Sequence, residues 1–441
     1  MIALLLATAC VRAEPRPNVL WVTLDTVGAQ HLALYGGPAA TPTVASLGGR
    51  VFERAFTHFP ETAVSHWAMF TGAVPEVHGD VGRYGDSTFT GPTVAEALGA
   101  AGYDTAAFIG GITLQAHACG LQRGFDTYDD RFAGETRPAA QVVAAADAWI
   151  DGRDRPWFAF VHLFDAHFPY EPANPRRYDP DYVGSFDGTD RTLRPHRDFG
   201  APLPERDLAH VAALHHAEIT ELDAALAPLL GAIDDTTVVI VTADHGESFG
   251  HGYLFNHRAS LYDEVLHVPL VVRAAGLAPG RDTRLVASTD LAPTVLDLVG
   301  LSAPSSMMGG TLLAPPSRVG LVARTDAALP PSWVAARSAT HKAIWPLEPA
   351  GDGLGFDIVA DPAEARATAP EPTLMDVRRS HEAAVGRMSR WTRPIEHARS
   401  VGGSEAERLE ALGYVSPTAR PAPPHPAPPH PAPPATAGGP R

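Results

Sequence analysis

Asp25, Asp244 and His245 are hard or borderline metal ligands, two carboxylates and an imidazole drawn from positions far apart in the chain. Each stands just past a short apolar run, so two separate segments deliver ligands at the same kind of position. Acids at such positions also cap loops and helices, and spacing alone admits both readings. A second segment, Thr62-Ala-Val-Ser65-His66-Trp-Ala-Met-Phe-Thr71-Gly72, sets polar residues ahead of an apolar stretch. Thr62 or Ser65 is there either as a helix N-cap or as a hydroxyl held where backbone N–H groups and the helix dipole stabilise a transferring anionic group. The residues themselves leave these two readings balanced.

The elements that must position these groups can be read from periodicity. Asn18 to Leu24 and Thr237 to Thr242 are β-branched, apolar runs of the kind that form strands buried on both faces. Trp157 to Phe164 is a third, ending in Asp165-Ala-His167, and Thr105 to Ile109 a weaker fourth. Between them Leu208, Val211, His215, Ile219, Leu222, Leu226 and Leu229 recur at spacings of three and four, an amphipathic stripe expected to face the sheet. Strands alternating with helices predict an α/β fold with a mostly parallel sheet covered on both faces. In such sheets ligands bind beyond the carboxyl ends of the strands, where Asp25, Asp165 and Asp244 would gather. His215 and His216 lie within the helical stripe and read as structural.

Length and charge bound the rest. The 441 residues allow one large α/β domain with a smaller one appended. A formal net charge of −16 repels phosphate backbones and argues against a nucleic-acid binder. Lys342 is the only lysine among 34 basic residues, so an anion must be met by Arg, His, backbone N–H groups or metal. Ile2 to Ala9 is too short to span a bilayer and resembles the apolar core of an export signal. Ala7-Thr8-Ala9-Cys10 resembles a lipoprotein processing site, so the chain is expected to be exported to the periplasm or cell envelope, with membrane anchoring through a lipidated Cys10 as one outcome. Only Cys119 remains, which excludes an internal disulfide framework. Residues 417–441 are rich in Pro, Ala and His and are expected to be extended, with His425 and His430 compositional.

The ordered motifs carry a resemblance. Pro17-Asn-Val-Leu-Trp-Val-Thr-Leu-Asp25-Thr26 is similar to the opening of the sulfatase family, within the alkaline phosphatase superfamily. The similarity continues through Thr62 to Gly72, His78-Gly79, Gly124-Phe-Asp-Thr-Tyr128, His162-Leu-Phe-Asp-Ala-His167, Asp244-His-Gly-Glu247, His257, Leu261-Tyr-Asp-Glu264, Asp290-Leu-Ala-Pro-Thr294 and Leu409-Glu-Ala-Leu-Gly-Tyr414. It implies an alkaline phosphatase-like fold: a large mostly parallel sheet flanked by helices, with a smaller C-terminal subdomain carrying a short antiparallel sheet. The implied division is a leader over 1–15, a catalytic domain over 16–312, a C-terminal subdomain over 313–416 and a disordered tail over 417–441.

Departures from the family pattern sharpen the expectation. Sulfatases that cleave sulfate esters carry Cys or Ser, converted to formylglycine, where this chain has Thr62, and Arg where it has His66. Threonine cannot become that aldehyde. Members with Thr here resemble instead phosphatases, phosphodiesterases and phosphoethanolamine-type transferases of the superfamily. Val64 replaces the motif proline, Thr26 the second acid after Asp25, and Gly111 and Arg258 stand where substrate-contacting lysines are usual. The resemblance thus implies a metal-dependent hydrolase of anionic esters, with phosphate favoured over sulfate on chemical grounds. Asp25, Thr62, Asp244 and His245 would bind one divalent ion, zinc, manganese or calcium; Thr62 would be the nucleophile and His257, near its ordinary pKa, the proton donor. His66, Asp165, His167 and Arg258 would contact a small-molecule, glycan or lipid ester. A head-group transferase and a catalytically silent, glycan-binding protein are the alternatives. Lys342 resembles a structural position of the C-terminal subdomain.

Overall fold

The computed structural model describes residues 16–79, 87–315, 317–325, 332–347 and 350–393. The expected leader with Cys10, the Leu409–Tyr414 motif and the tail over 417–441 lie outside these residues. Among the described residues no helix is long and apolar enough to cross a membrane.

The apolar runs form strands where continuous Val, Ile, Leu and aromatic residues can be covered from both sides. They are β1 (Val19–Leu24), β2 (Arg50–Phe56), β3 (Asp104–Phe108), β4 (Thr127–Asp129), β5 (Trp157–Leu163) and β6 (Val238–Thr242), joined by β7 (Leu270–Arg273) and β8 (Gly280–Ala287). Their order is β8-β2-β7-β6-β1-β5-β3-β4. β1 pairs in parallel with β5 and β6, and β3 with β4 and β5. β8 is parallel to β2, and β7 alone on this path runs antiparallel, to both β2 and β6. Every residue of β1, β5 and β6 is buried. The parallel register therefore brings the ends of β1, β5 and β6 to one edge, in the centre of the sheet.

Helices pack on the sheet in two sets. α1 (Thr62–Thr71) packs with α4 (Leu291–Leu298), while α2 (Ala139–Ile150) packs with α3 (Glu205–Ala232). The stripe of α3 does not face the sheet along its whole length as expected. Ile219, Leu222, Leu226 and Leu229 join the main core, whereas Val211 and Leu214 join a separate cluster with Phe168, Tyr170 and Phe255. At 28 residues the helix outruns the sheet it covers, and its first half shelters the loops that follow β5 and β6 instead.

A second, antiparallel sheet follows, β9 (Leu321–Arg324), β10 (Trp333–Arg337), β11 (His341–Pro346) and β12 (Leu354–Asp357), in sequential order. Helix α5 (Thr373–Met388) lies against it through Leu374 and Val377. The fold is thus the expected mixed, mostly parallel α/β sheet with a C-terminal antiparallel one.

Candidate active site

β1 ends at Leu24, and Asp25 N donates to Leu163 O of β5 (2.9 Å), so the first residue beyond the strand is still held in the ladder. β6 ends at Thr242 and presents Asp244 and His245 two and three residues later. One ligand atom from each of Asp25, Asp244 and His245 lies within 4.8 Å of the others, and all three residues are buried. Thr26 completes the corner in the left-handed region (φ 57°), an uncommon conformation for a β-branched residue and one that costs about 1–3 kcal/mol. Its hydroxyl donates to Asp25 O and Ala166 O, and its N–H donates to Asp244 Oδ1 (3.2 Å). The residue that lacks a carboxylate thus aims one.

Thr62 is the first residue of α1, after Glu61 in extended geometry, and neither Thr62 nor Ser65 caps the helix. Ser65 Oγ donates to Asp244 O (2.8 Å). Thr62 Oγ1 lies 3.4 Å from His245 Nε2. The N-cap reading of Thr62 and Ser65 therefore fails, and Thr62 sits at a helix N-terminus facing the acid cluster, where backbone N–H groups attract negative charge.

The tautomers follow from the partners. Gly246 O lies 3.0 Å from His245 Nδ1 and can only accept, so Nδ1 carries the proton and Nε2 turns a lone pair toward Thr62. Likewise His66 Nδ1 donates to Thr62 O (2.7 Å) and its Nε2 accepts from Thr23 Oγ1 (3.0 Å). His66 is therefore bound beneath Thr62, 3.9 Å from Asp244 Oδ2, and fully buried. His162 Nε2 donates to Asp25 Oδ2 (2.9 Å). That contact was not anticipated from the sequence; the signal is β5 register, since His162 pairs with Thr23 and so faces the same side as Asp25.

These residues fit a divalent cation. Asp25 Oδ1 and Asp244 Oδ2 are buried with no hydrogen-bond partner among the described residues. Burial, followed by the charges of Asp244 and Glu247, pushes the Asp25 carboxyl well above its ordinary range. The neighbouring imidazoles offer no compensating charge, because burial holds His66 below, and His162 well below, the usual imidazole value. Two carboxylates, a lone pair on Nε2 and the Thr62 hydroxyl converging without a cation would be a costly arrangement. The donor set of oxygens and one nitrogen suits a borderline divalent ion.

His257 stacks on His245, ring centroids 4.0 Å apart at 30°. Its Nδ1 faces Glu247 Oε1 (3.3 Å). Burial, then the neighbouring His245 and His167, holds His257 well below the ordinary imidazole value, which corrects the expectation of an unperturbed group. Burial pushes Glu247 up to about 8. Burial thus favours the uncharged forms of both members of the pair. The Asp244-His-Gly-Glu247 motif contains Glu247, but its approach to His257 depends on the fold.

His167 stacks on Phe164 (4.4 Å, 14°) and stands edge-on to His257 (5.8 Å). Asp165 is not brought in: its Oδ1 accepts from Ala139 N (2.9 Å) at the start of α2, where a helix N-terminus attracts a carboxylate. Arg258 Nε binds Glu61 Oε2 (3.2 Å), which ties the cation to the residue preceding Thr62. A Cβ at Gly111 would run into the ring of Phe164, so this position excludes any longer side chain. His215 is enclosed by Tyr170 and Phe249, in keeping with its structural reading.

A model of the Sulfatase family matches residues 17–301. Arylsulfatase K of Xenopus laevis is 24% identical over 365 residues, covering 68% of this chain and 66% of that protein. The chain thus spans just under two thirds of the length of that relative. Among solved structures, one determined with its substrate D-glucosamine-2-N,6-O-disulfate superposes with a TM-score of 0.70 at 17% identity, covering 84% of this chain and 98% of that one. The phosphonate monoester hydrolase of Silicibacter pomeroyi superposes with a TM-score of 0.65 at 20% identity, covering 86% and 97%.

Proposed function

This chain belongs to the sulfatase family, and we propose that it is a metal-dependent hydrolase of anionic esters in which Thr62 is the attacking group. The observation that carries this reading is the approach of Thr62 Oγ1, at the N-terminus of α1, to the buried Asp25, Asp244 and His245 cluster. Those three residues with Thr62 would hold one divalent ion, zinc, manganese or calcium. When bound, the ion neutralises charge on the transferred group and acidifies the Thr62 hydroxyl.

The remaining work falls to side chains. Thr62 Oγ1, its proton released to solvent, forms a bond to the central atom of the ester as the bond to the leaving oxygen breaks; water, giving a proton back to His257, later displaces Thr62 as an alkoxide. His257 delivers a proton to the leaving oxygen from Nε2 while its Nδ1 recovers one from the Glu247 carboxyl, which burial keeps protonated near neutrality. Backbone N–H groups at the start of α1 meet the transferred anion. His66 holds the Thr62 carbonyl and orients the nucleophile rather than touching substrate.

The names of the relatives point to sulfate esters, including those of amino sugars, and one structural neighbour to phosphonate esters. Direct attack by an unmodified threonine favours phosphorus, whose esters accept an alkoxide nucleophile without an aldehyde cofactor. The test is a panel of aryl sulfate, phosphate monoester, phosphate diester and phosphonate monoester, assayed after chelation and metal add-back. Turnover of a phosphorus ester is expected to require metal and to fall by about 10³-fold or more in Thr62→Ala. Full activity in Thr62→Ala would remove the nucleophile assignment, and exclusive turnover of the sulfate ester would reverse the substrate preference.

A further inference from the structure

Between Glu247 and His257 the chain turns back on itself. Phe249–Gly250 and Tyr253–Leu254 pair antiparallel, Phe249 with Leu254 and Gly250 with Tyr253, which leaves His251 and Gly252 as a two-residue loop. Both take positive φ, 54° and 73°, as a tight hairpin turn requires. Such turns favour Asn-Gly, so the histidine is explained by its ring rather than by its backbone. At the other end, Ser248 O accepts from Phe255 N (2.8 Å) and Asn256 O from Ser248 N (3.2 Å). The hairpin therefore closes directly on Glu247 and His257, whose side chains meet at 3.3 Å.

The ring of His251 is held at three places. It stacks on Tyr262 with centroids 3.6 Å apart at 10°. Its Nδ1 lies 3.1 Å from Glu264 Oε1, and its Nε2 lies 3.2 Å from Ala363 O, in the loop after β12. A carboxylate and a carbonyl only accept, so both nitrogens must carry protons. A neutral imidazole would turn a lone pair on one of the two acceptors and lose that bond. Glu264 Oε2 also accepts from Phe249 N (3.3 Å), so one carboxylate grips both a strand and the tip of the hairpin.

The surroundings agree with this geometry. The charged and titratable groups nearest the ring are Tyr262 and Glu264, from the segment before β7, and Glu364, beside Ala363 and itself bound to Lys342 (2.7 Å). Along the same cleft lie Glu53, Arg54, Asp263, His267 and Arg337. Burial opposes the charged ring, but the Glu264 hydrogen bond and the charges of Glu264 and Glu364 outweigh it and raise His251 above the ordinary imidazole value. The side chain keeps 15% exposure on a cleft of about 790 Å³, which lets it exchange protons with water.

We propose that His251, as an imidazolium, is a positioning residue: it clasps the hairpin to the loop after β12 and thereby holds Glu247 against His257. The clasp is complete at acid pH and is lost as pH rises through the raised value of His251. Its effect on turnover rests on Glu247 and His257 moving the proton; the clasp itself does not.

His251→Asn suits the turn but cannot bridge the two acceptors, and His251→Arg keeps a charge that does not titrate. Ring-nitrogen NMR of the histidine-labelled full chain, with the signal assigned by its loss in either variant, is expected to give wild-type His251 a midpoint above 6.5. Turnover of the ester that the panel identifies is expected to fall through that same midpoint. In His251→Asn it should be about tenfold lower at about pH 6 and show no such inflection, and His251→Arg should recover most of the rate without the inflection. A midpoint at or below 6.5, full turnover at about pH 6 in His251→Asn, or an inflection that persists there overturns the proposal. Should His251→Asn not fold, the wild-type midpoint still decides. Hydrogen exchange of the 248–256 amides reads the clasp without chemistry: protection at about pH 6 should drop in His251→Asn and return in His251→Arg. Equal protection in wild type and His251→Asn refutes the clasp, whereas the expected drop in a chain that hydrolyses no ester refutes the enzymatic reading alone.

Discussion

Single residues here are defined by which atom of each is already engaged. His245 has its Nδ1 proton fixed by Gly246 O, which leaves the Nε2 lone pair facing Thr62. Asp25 has Oδ2 bound to His162 and Oδ1 buried without a partner among the described residues. Such outer partners fix the orientation and basicity of a ligand, and their loss costs metal affinity more than catalytic competence. His162→Phe is therefore expected to weaken divalent-ion binding by about 10- to 100-fold in a calorimetric titration while activity recovers at saturating metal. An unchanged affinity would mean that the His162 contact only fills space. Asp165 and His167 make the opposite point: two residues apart in sequence, one turns to the N-terminus of α2 and the other to His257. Sequence placed both near the site, and local hydrogen bonding separated them.

At the scale of elements, the ends of β1 and β6 and the start of α1 do the positioning, and each was legible as a periodic run with a polar residue at its boundary. The continuous apolar strands had to be central because only a doubly covered position hides such residues completely. The register that aims His162 at Asp25 was not legible, since it depends on pairing between distant strands. Helix α5 offers an element-scale test. His381 on α5 and Arg324 of β9 meet Glu76, in the short turn of helix after α1, at 3.2 and 3.4 Å. Burial opposes ionisation of Glu76, but the His381 hydrogen bond and the charges of His381 and Arg324 outweigh it and hold the carboxyl down to about 2. A depressed carboxyl contributes stability that is complete above its unfolded value of 4.5 and is lost as pH falls toward 2. Urea unfolding at about pH 6 and about pH 3 should therefore show a larger acid-induced loss for wild type than for Glu76→Gln. Equal losses would mean that the ion pair contributes nothing.

For the whole molecule, the decisive seam is between the mixed sheet and the C-terminal antiparallel sheet. Lys342 Nζ, on β11 of the C-terminal sheet, joins Asp263, at the start of a short helix before β7, to Glu364 in the loop after β12, and Arg337 of β10 adds two contacts of 2.9 Å to Asp263, which together hold that carboxyl far below its ordinary range despite burial. Removing one partner from such a buried network leaves uncompensated charge, so Lys342→Met is expected to destabilise the chain by about 3–5 kcal/mol in urea unfolding. A loss below about 1 kcal/mol would show the network to be replaceable. The lone lysine's structural part was anticipated, whereas its acidic partners, 79 residues before it in the case of Asp263, were not. By itself the sequence determined the strand types, the mostly parallel sheet and the carboxyl-end placement of Asp25 and Asp244, because periodicity and burial are local and repeat along the chain; Thr62 joined them only through the family resemblance. Only the tertiary structure decided which histidines bind which carboxylates and that Asp165 turns away to the start of α2. Those outcomes depend on register and on the path of a non-periodic segment, neither of which leaves a pattern in the order of residues.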